Sequence, residues 1–150
     1  MISSGYHFFY VQGNSMAPTL SDGDTVLIKK DNDLAKSQVV VFRFPEQWEN
    51  PFNEDSLLIK RVIAVEGDTF SYSGRVFTVN GKKYPLPDNY NCKTEKTTYT
   101  KTLGKNEMIV FGDNVSQSAD SRFFYCRDNT EGFIVSTDLI VSSGRIVFDF

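Results

Sequence analysis

Leu57-Leu58-Ile59-Lys60-Arg61-Val62-Ile63-Ala64-Val65-Glu66-Gly67-Asp68-Thr69-Phe70-Ser71-Tyr72-Ser73-Gly74-Arg75-Val76-Phe77-Thr78-Val79-Asn80-Gly81-Lys82-Lys83-Tyr84 reads as one strand after another with turn residues between. β-Branched and aromatic side chains dominate Leu57 to Glu66, Thr69 to Tyr72 and Arg75 to Asn80, and these are the residues that pack well on a pleated surface. Ser73-Gly74 and Asn80-Gly81 interrupt them. Asn and Gly both tolerate positive φ, so Asn80-Gly81 predicts a type I′ hairpin turn into Lys82-Lys83-Tyr84.

The same texture extends in both directions. His7 to Gln12, Thr25 to Lys29, Gln38 to Phe44, Glu107 to Phe111 and Ile140 to Phe148 carry strand signals, and Ser21-Asp22-Gly23-Asp24 is a further turn. No segment holds a helical period with caps at both ends, and no internal repeat is present. Pro45 to Asp55 and Tyr84 to Gly104 read as loops, and Lys93-Thr94-Glu95-Lys96 as a solvated surface. The prediction is one mostly β domain over residues 1–150, with few or short helices.

Composition narrows the function. The chain has 150 residues, 40% of them hydrophobic, which suffices for one core of ordinary size. Sixteen Lys and Arg against 19 Asp and Glu give a net charge of -3, so there is no basic field to hold nucleic acid. One histidine and two separated cysteines, Cys92 and Cys126, make a metal centre improbable on ligand count. The cysteines suit either a disulfide or two small buried hydrophobes. No run approaches the ~20 apolar residues of a membrane span. Met1 to Gly5 reads as a linker, compatible with an anchor upstream, and the sequence as it stands reads as that of a soluble domain.

Three segments offer chemistry. Gly13-Asn14-Ser15-Met16-Ala17-Pro18-Thr19-Leu20 places a serine in a proline-bounded turn of small residues, which exposes the hydroxyl and frees backbone N–H groups from any ladder. A nucleophile and an oxyanion hole need those two things. Serine also needs a base. His7 sits eight residues away along an extended chain, too far to reach Ser15 by local geometry. Lys60 is the alternative, because burial in its apolar strand lowers an amine's pKa. An edge-strand lysine that discourages aggregation is the competing use. The third segment is Phe111-Gly112-Asp113-Asn114 with Ser118-Ala119-Asp120-Ser121-Arg122, in which Asp120 and Arg122 suggest a loop-shaping ion pair.

Together these segments resemble the Ser/Lys class of bacterial type I signal peptidases. The resemblance rests on residues 13–20, on Lys60-Arg61-Val62-Ile63-Ala64-Val65-Glu66-Gly67-Asp68, and on Gly112-Asp113-Asn114 through Ser118-Ala119-Asp120-Ser121-Arg122, in that order. Asp22-Gly23-Asp24, Val39 to Phe42 and Gly144-Arg145 extend it over nearly the whole chain. It implies coiled antiparallel sheets, no cofactor, Ser15 as nucleophile, Lys60 as general base and Ser118 orienting the lysine. Asp113, Asp120 and Arg122 would hold the loop, with Arg61 pairing with one of the carboxylates. The chain departs from the family pattern at Gly13, where a hydroxyl donor is usual, so the oxyanion hole would rest on the Ser15 N–H with Gly13 beside it. Glu66 in place of proline and Ser37-Gln38 in place of Gly-Asp predict altered loops with chemistry retained.

The implied activity is cleavage of signal peptides from exported preproteins at the extracytoplasmic face of the cell membrane. Substrate would lie extended beside the Ser15 strand, with small side chains before the cut. Phe9, Val11, Met16, Leu58 and Ile59 are the candidate pocket walls, although core packing is the competing use of each. A non-catalytic relative that binds or chaperones a surface or pilus protein is the alternative. A self-cleaving repressor domain would need an Ala-Gly scission site ahead of the serine, and residues 1–14 hold none.

Overall fold

The computed structural model describes residues 5–30, 33–48, 56–93, 98–128 and 131–149. Most of the Pro45 to Asp55 loop and the Lys93 to Lys96 run beyond Lys93 therefore lie outside the described residues. Eleven strands are described: β1 (Tyr6–Tyr10), β2 (Thr25–Lys30), β3 (Val39–Arg43), β4 (Leu57–Ala64), β5 (Thr69–Ser73), β6 (Val76–Val79), β7 (Lys82–Pro85), β8 (Thr98–Thr102), β9 (Glu107–Phe111), β10 (Val135–Ser136) and β11 (Ile140–Asp149). One α-helix, α1 (Ser121–Asp128), and 3₁₀ turns at 115–117, 131–133 and 137–139 complete the described set. The mostly β prediction holds.

All described pairings are antiparallel. Seven strands form one sheet in the order β1-β2-β11-β3-β4-β9-β10, and four form a second in the order β7-β6-β5-β8. Strand β11 pairs with β2 through one part and β3 through another, and register shifts at Ile146/Phe148 and Ile140/Ser142 let one strand serve both neighbours. The hairpin from β6 to β7 turns at Asn80 and Gly81 with φ of 46° and 89°, as a type I′ turn requires.

The continuous apolar run Val39-Val40-Val41-Phe42 is explained by the two cores. Val40 and Phe42 enter a large core shared with Trp48, Phe70, Phe77, Phe111, Tyr125 and Phe133. Val39 and Val41 point the other way into a smaller one with Val11, Met16, Leu20, Val26 and Ile28. A strand buried on both faces loses the alternation of a half-exposed one. β3 is therefore fixed between layers, and its neighbour β4 carries Lys60 opposite Val40.

Three elements differ from expectation, among them the short β10, for which the sequence reading has no strand signal. β8 lies within the stretch read as a loop, and α1 occupies Ser121-Arg122-Phe123-Phe124-Tyr125-Cys126-Arg127-Asp128, where no helix is predicted by period. Asp120 starts this helix: its carboxylate accepts from the Arg122 backbone N–H at 2.9 Å and its carbonyl from Phe124 N at 3.1 Å, an N-cap arrangement. Cys92 and Cys126 form a disulfide, which selects the first of the two readings of the cysteines and ties the segment after β7 to α1.

Candidate active site

Ser15 sits half-buried in the turn after β1, a turn described by Ala17 N donating to Asn14 O at 3.1 Å and Leu20 N to Met16 O at 2.9 Å. The segment after β9 grips this turn from outside. Asn114 N donates to the Ser15 carbonyl at 2.9 Å, Asn114 Nδ2 to the Asn14 carbonyl at 3.0 Å, and Thr19 Oγ1 to Asp113 Oδ2 at 2.6 Å. Asn14, Thr19 and Asn114 have no role in the sequence reading. Their partners lie about a hundred residues away, so no local pattern signals them.

Lys60 is 3% exposed, in a strand whose Val62, Ile63 and Ala64 are buried with it. Its Nζ donates to Ser118 Oγ at 3.1 Å. Burial drives the amine's pKa down from 10.5 to about 8; the Asp120 carboxylate pulls it back up and the Arg122 guanidinium pushes it down. Ser118 is buried too, and its hydroxyl donates to Asp120 Oδ2 at 2.6 Å. With its proton committed to the aspartate, the Ser118 oxygen presents a lone pair to Lys60. One amine N–H is thereby held in a fixed direction.

Asp120 is fully buried and holds several donors at once. Oδ2 accepts from Gly112 N at 2.8 Å and from Arg122 NH2 at 2.6 Å in addition to Ser118. Oδ1 accepts from Arg122 N and from Arg122 Nε at 3.2 Å. Arg122 also donates to the Gly112 carbonyl at 2.7 Å. The neighbouring pair is Arg61 and Asp113, bidentate at 2.9 Å on both arms. Burial pushes the Asp113 carboxyl up, but the hydrogen bonds from Arg61 and Thr19 outweigh it and hold the group below the usual carboxylate range.

Gly112 is the point of closest approach. A Cβ there would collide with Ser118 Oγ and lie 2.6 Å from the Ser15 carbonyl oxygen, so only glycine lets the Ser15 turn and the Ser118 loop meet. The nearby cavity of about 290 Å³ is lined by Phe9, Tyr10, Gln12, Ser15, Val41, Leu57, Leu58 and Ile59. Of the expected pocket walls, Phe9, Leu58 and Ile59 are on it. Val11 and Met16 lie instead in the smaller core, 2% and 1% exposed, because the chain after β1 turns them inward.

Gly13 differs from expectation as well. Its N–H donates to Asp22 Oδ1 at 2.6 Å and is not free for an oxyanion, whereas the Ser15 N–H has no acceptor among the described residues. His7 lies on β1 with Nδ1 2.9 Å from Ser142 Oγ, engaged with β11.

The model of the family described as signal peptidase, peptidase S26, matches residues 1–148. Signal peptidase IB of Staphylococcus aureus is 34% identical over 163 residues, covering 95% of this chain and 76% of the relative. Signal peptidase I V of Bacillus subtilis (strain 168) is 30% identical over 133 residues, covering 77% and 74%. A crystal structure of a signal peptidase I from Enterococcus faecalis V583 aligns with a TM-score of 0.48 at 18% identity, over 74% of this chain and 96% of that one. On the family match across its length and the identity to these relatives, the chain belongs to the signal peptidase family, peptidase S26, of serine-type peptidases.

Proposed function

We propose that residues 1–150 form one catalytic domain that removes signal peptides from exported preproteins, with Ser15 as nucleophile and Lys60 as general base. The observation that carries this reading is the buried Lys60 amine, lowered to about 8 and hydrogen-bonded to Ser118. A neutral amine is a competent base near physiological pH, whereas an ordinary surface lysine is not.

In the reaction, Ser15 Oγ attacks the scissile carbonyl carbon as its proton passes to the Lys60 amine. The carbonyl oxygen gains the negative charge and takes the Ser15 N–H as a donor. Lys60 then returns the proton to the leaving nitrogen, the C–N bond breaks and an acyl-enzyme remains. Water attacks the ester, giving its proton to Lys60, and the Ser15 hydroxyl is regenerated. Ser118 holds the Lys60 nitrogen through its hydrogen bond. Asp120 and Arg122 keep Ser118 in place.

An extended peptide lying along β1, the terminal strand of the large sheet, would reach Ser15 with its side chains over Phe9, Leu58 and Ile59. A cavity of this size favours small residues before the cut. Membrane proximity is supported by the outer face of β1, where Tyr6, Phe8 and Tyr10 are 45%, 64% and 67% exposed in a row, with Lys29 exposed opposite Tyr6. Two tyrosine rings flanking a phenylalanine, beside a cation, suit a lipid headgroup region. Among the described residues no helix is long and apolar enough to cross a membrane. The disulfide supports an oxidising, extracytoplasmic setting.

The test is incubation with a preprotein bearing an Ala-x-Ala site, read by N-terminal sequencing of the product. Cleavage after that site, abolished in both Ser15→Ala and Lys60→Ala, is expected. An intact preprotein with the native chain, or cleavage that survives Lys60→Ala, would refute the proposal.

A further inference from the structure

Arg122 is held within its own plane by hydrogen bonds and across its face by a ring. Its Nε and NH2 groups point at Asp120 and the Gly112 carbonyl, which fixes the edges of the guanidinium but leaves its two faces unconstrained. One face is covered by Phe111, whose ring centroid lies 4.3 Å from Arg122 Cζ. Both residues are buried, Phe111 at 3% exposure and Arg122 at 8%, so the cation meets the ring with little water between to weaken the attraction.

The ring is itself immobilised. Phe111 ends β9 and pairs with Arg61, one residue from Lys60 on β4. Tyr84 meets the ring edge-on with centroids 5.4 Å apart at 88°, and Phe77 packs at 6.0 Å. Tyr84 and Phe77 belong to the small sheet, so the second layer of the fold fixes the orientation of this one ring.

What the ring holds is coupled to the proposed base through a single atom. Asp120 Oδ2 accepts from both Arg122 NH2 and Ser118 Oγ at 2.6 Å, and Ser118 Oγ accepts from Lys60 Nζ. A guanidinium that tilts pulls on Oδ2, and with it on the hydroxyl that aims the amine.

We propose that Phe111 is a positioning residue: its ring face fixes the Arg122 guanidinium and, through Asp120 and Ser118, sets the direction of the Lys60 amine. This rests on the reading of Lys60 as general base. The charges that act on that amine are Asp120 and Arg122, while Arg61 of the same strand is engaged by Asp113. Because Arg122 lowers the lysine's proton affinity, letting it drift moves the titration of Lys60 upward.

The test replaces Phe111 with phenylalanine carrying one, two or three ring fluorines, which drain the ring's face of electron density at nearly constant volume. Cleavage of an Ala-x-Ala peptide is followed as kcat and KM against pH, with the thermal midpoint of each protein. Expected are a stepwise fall in kcat to about tenfold at three fluorines, KM within twofold, and an acid limb that moves to higher pH with each fluorine. A trifluoro protein with native kcat and an unmoved acid limb overturns the inference. So does a fall in kcat that only follows a falling thermal midpoint with the limb fixed, since that marks packing alone. Failure of the base assignment is read separately, as Lys60→Ala activity in the protein with ordinary Phe111.

Discussion

At Gly112 the identity of one residue decides whether two parts of the site can meet. Its missing Cβ is the space occupied by the Ser118 hydroxyl and the Ser15 carbonyl, with Ser118 Cβ only 2.7 Å from where that carbon would be. Gly112→Ala is expected to leave a folded protein whose kcat falls by roughly a hundredfold, the scale of a displacement of about 1 Å at a reacting group. Steady-state kinetics on the purified variant check this, and native turnover would show that the loop yields without consequence. Lys60 makes a second residue-scale prediction, with the sign set by linkage. Its amine binds a proton less readily in the fold than in the unfolded chain, where the ordinary value of 10.5 applies. Below about 8 both states carry the proton, and burying that charge opposes folding by about 3 kcal/mol. Between about 8 and 10.5 the unfolded chain still holds the proton and the fold does not, so stability rises with pH and the penalty disappears. Lys60→Met is therefore expected to unfold at higher denaturant than the native chain at pH 7, with the difference closing by pH 10.5. A variant less stable at pH 7 would contradict the account of the buried amine. The sequence makes Lys60 legible, since a charge inside an apolar strand needs a reason. It leaves Gly112 silent about its function, because nothing local reveals that Ser15 and Ser118 converge on it.

Among the elements, those with period-two alternation or a specific turn are legible and those shaped by distant partners are not. The hairpin at Asn80-Gly81 is set by backbone chemistry that two residues carry alone. By contrast, α1 places Phe123, Phe124, Tyr125 and Cys126 in succession, with no helical stripe to detect. It forms because Asp120 caps it, Ser121 Oγ accepts from Val110 N at 3.1 Å, Trp48 stacks on Phe124 at 4.5 Å between centroids, and Cys126 is bonded to Cys92. In Thr98-Tyr99-Thr100-Lys101-Thr102 the burial alternates, but threonine and lysine make the segment read as polar loop until β5 pairs with it. The disulfide closes a separation of 34 residues, for which chain entropy gives roughly 4 kcal/mol of stability. Cys92→Ser with Cys126→Ser is expected to lower the thermal midpoint by about 10 °C on that figure. A midpoint unchanged within a degree would mean that the α1 junction is held by packing alone.

Across the molecule, Ser15, Lys60 and Ser118 come from three separate chain segments, and the large sheet brings together the segments that carry them. β1 leads into the Ser15 turn at one end of the sheet, β3 fixes β4 between two cores, and β9 feeds the Ser118 loop. The small sheet contributes Phe77 and Tyr84, whose rings pack on Phe111, and Phe111 in turn covers Arg122. Lys60 sits in a buried place that lowers its amine to about 8, and in the proposed reaction its neutral form takes the proton of Ser15. The measurement that tests it most directly is the pH dependence of kcat/KM on a small Ala-x-Ala peptide, which reports the free enzyme's titrating groups. The prediction is an acid limb with its midpoint at about 8, rising to an alkaline plateau as Lys60 loses its proton. A limb at about 6.5, the ordinary histidine value, would assign the proton to His7 and contradict the pairing of Ser15 with Lys60.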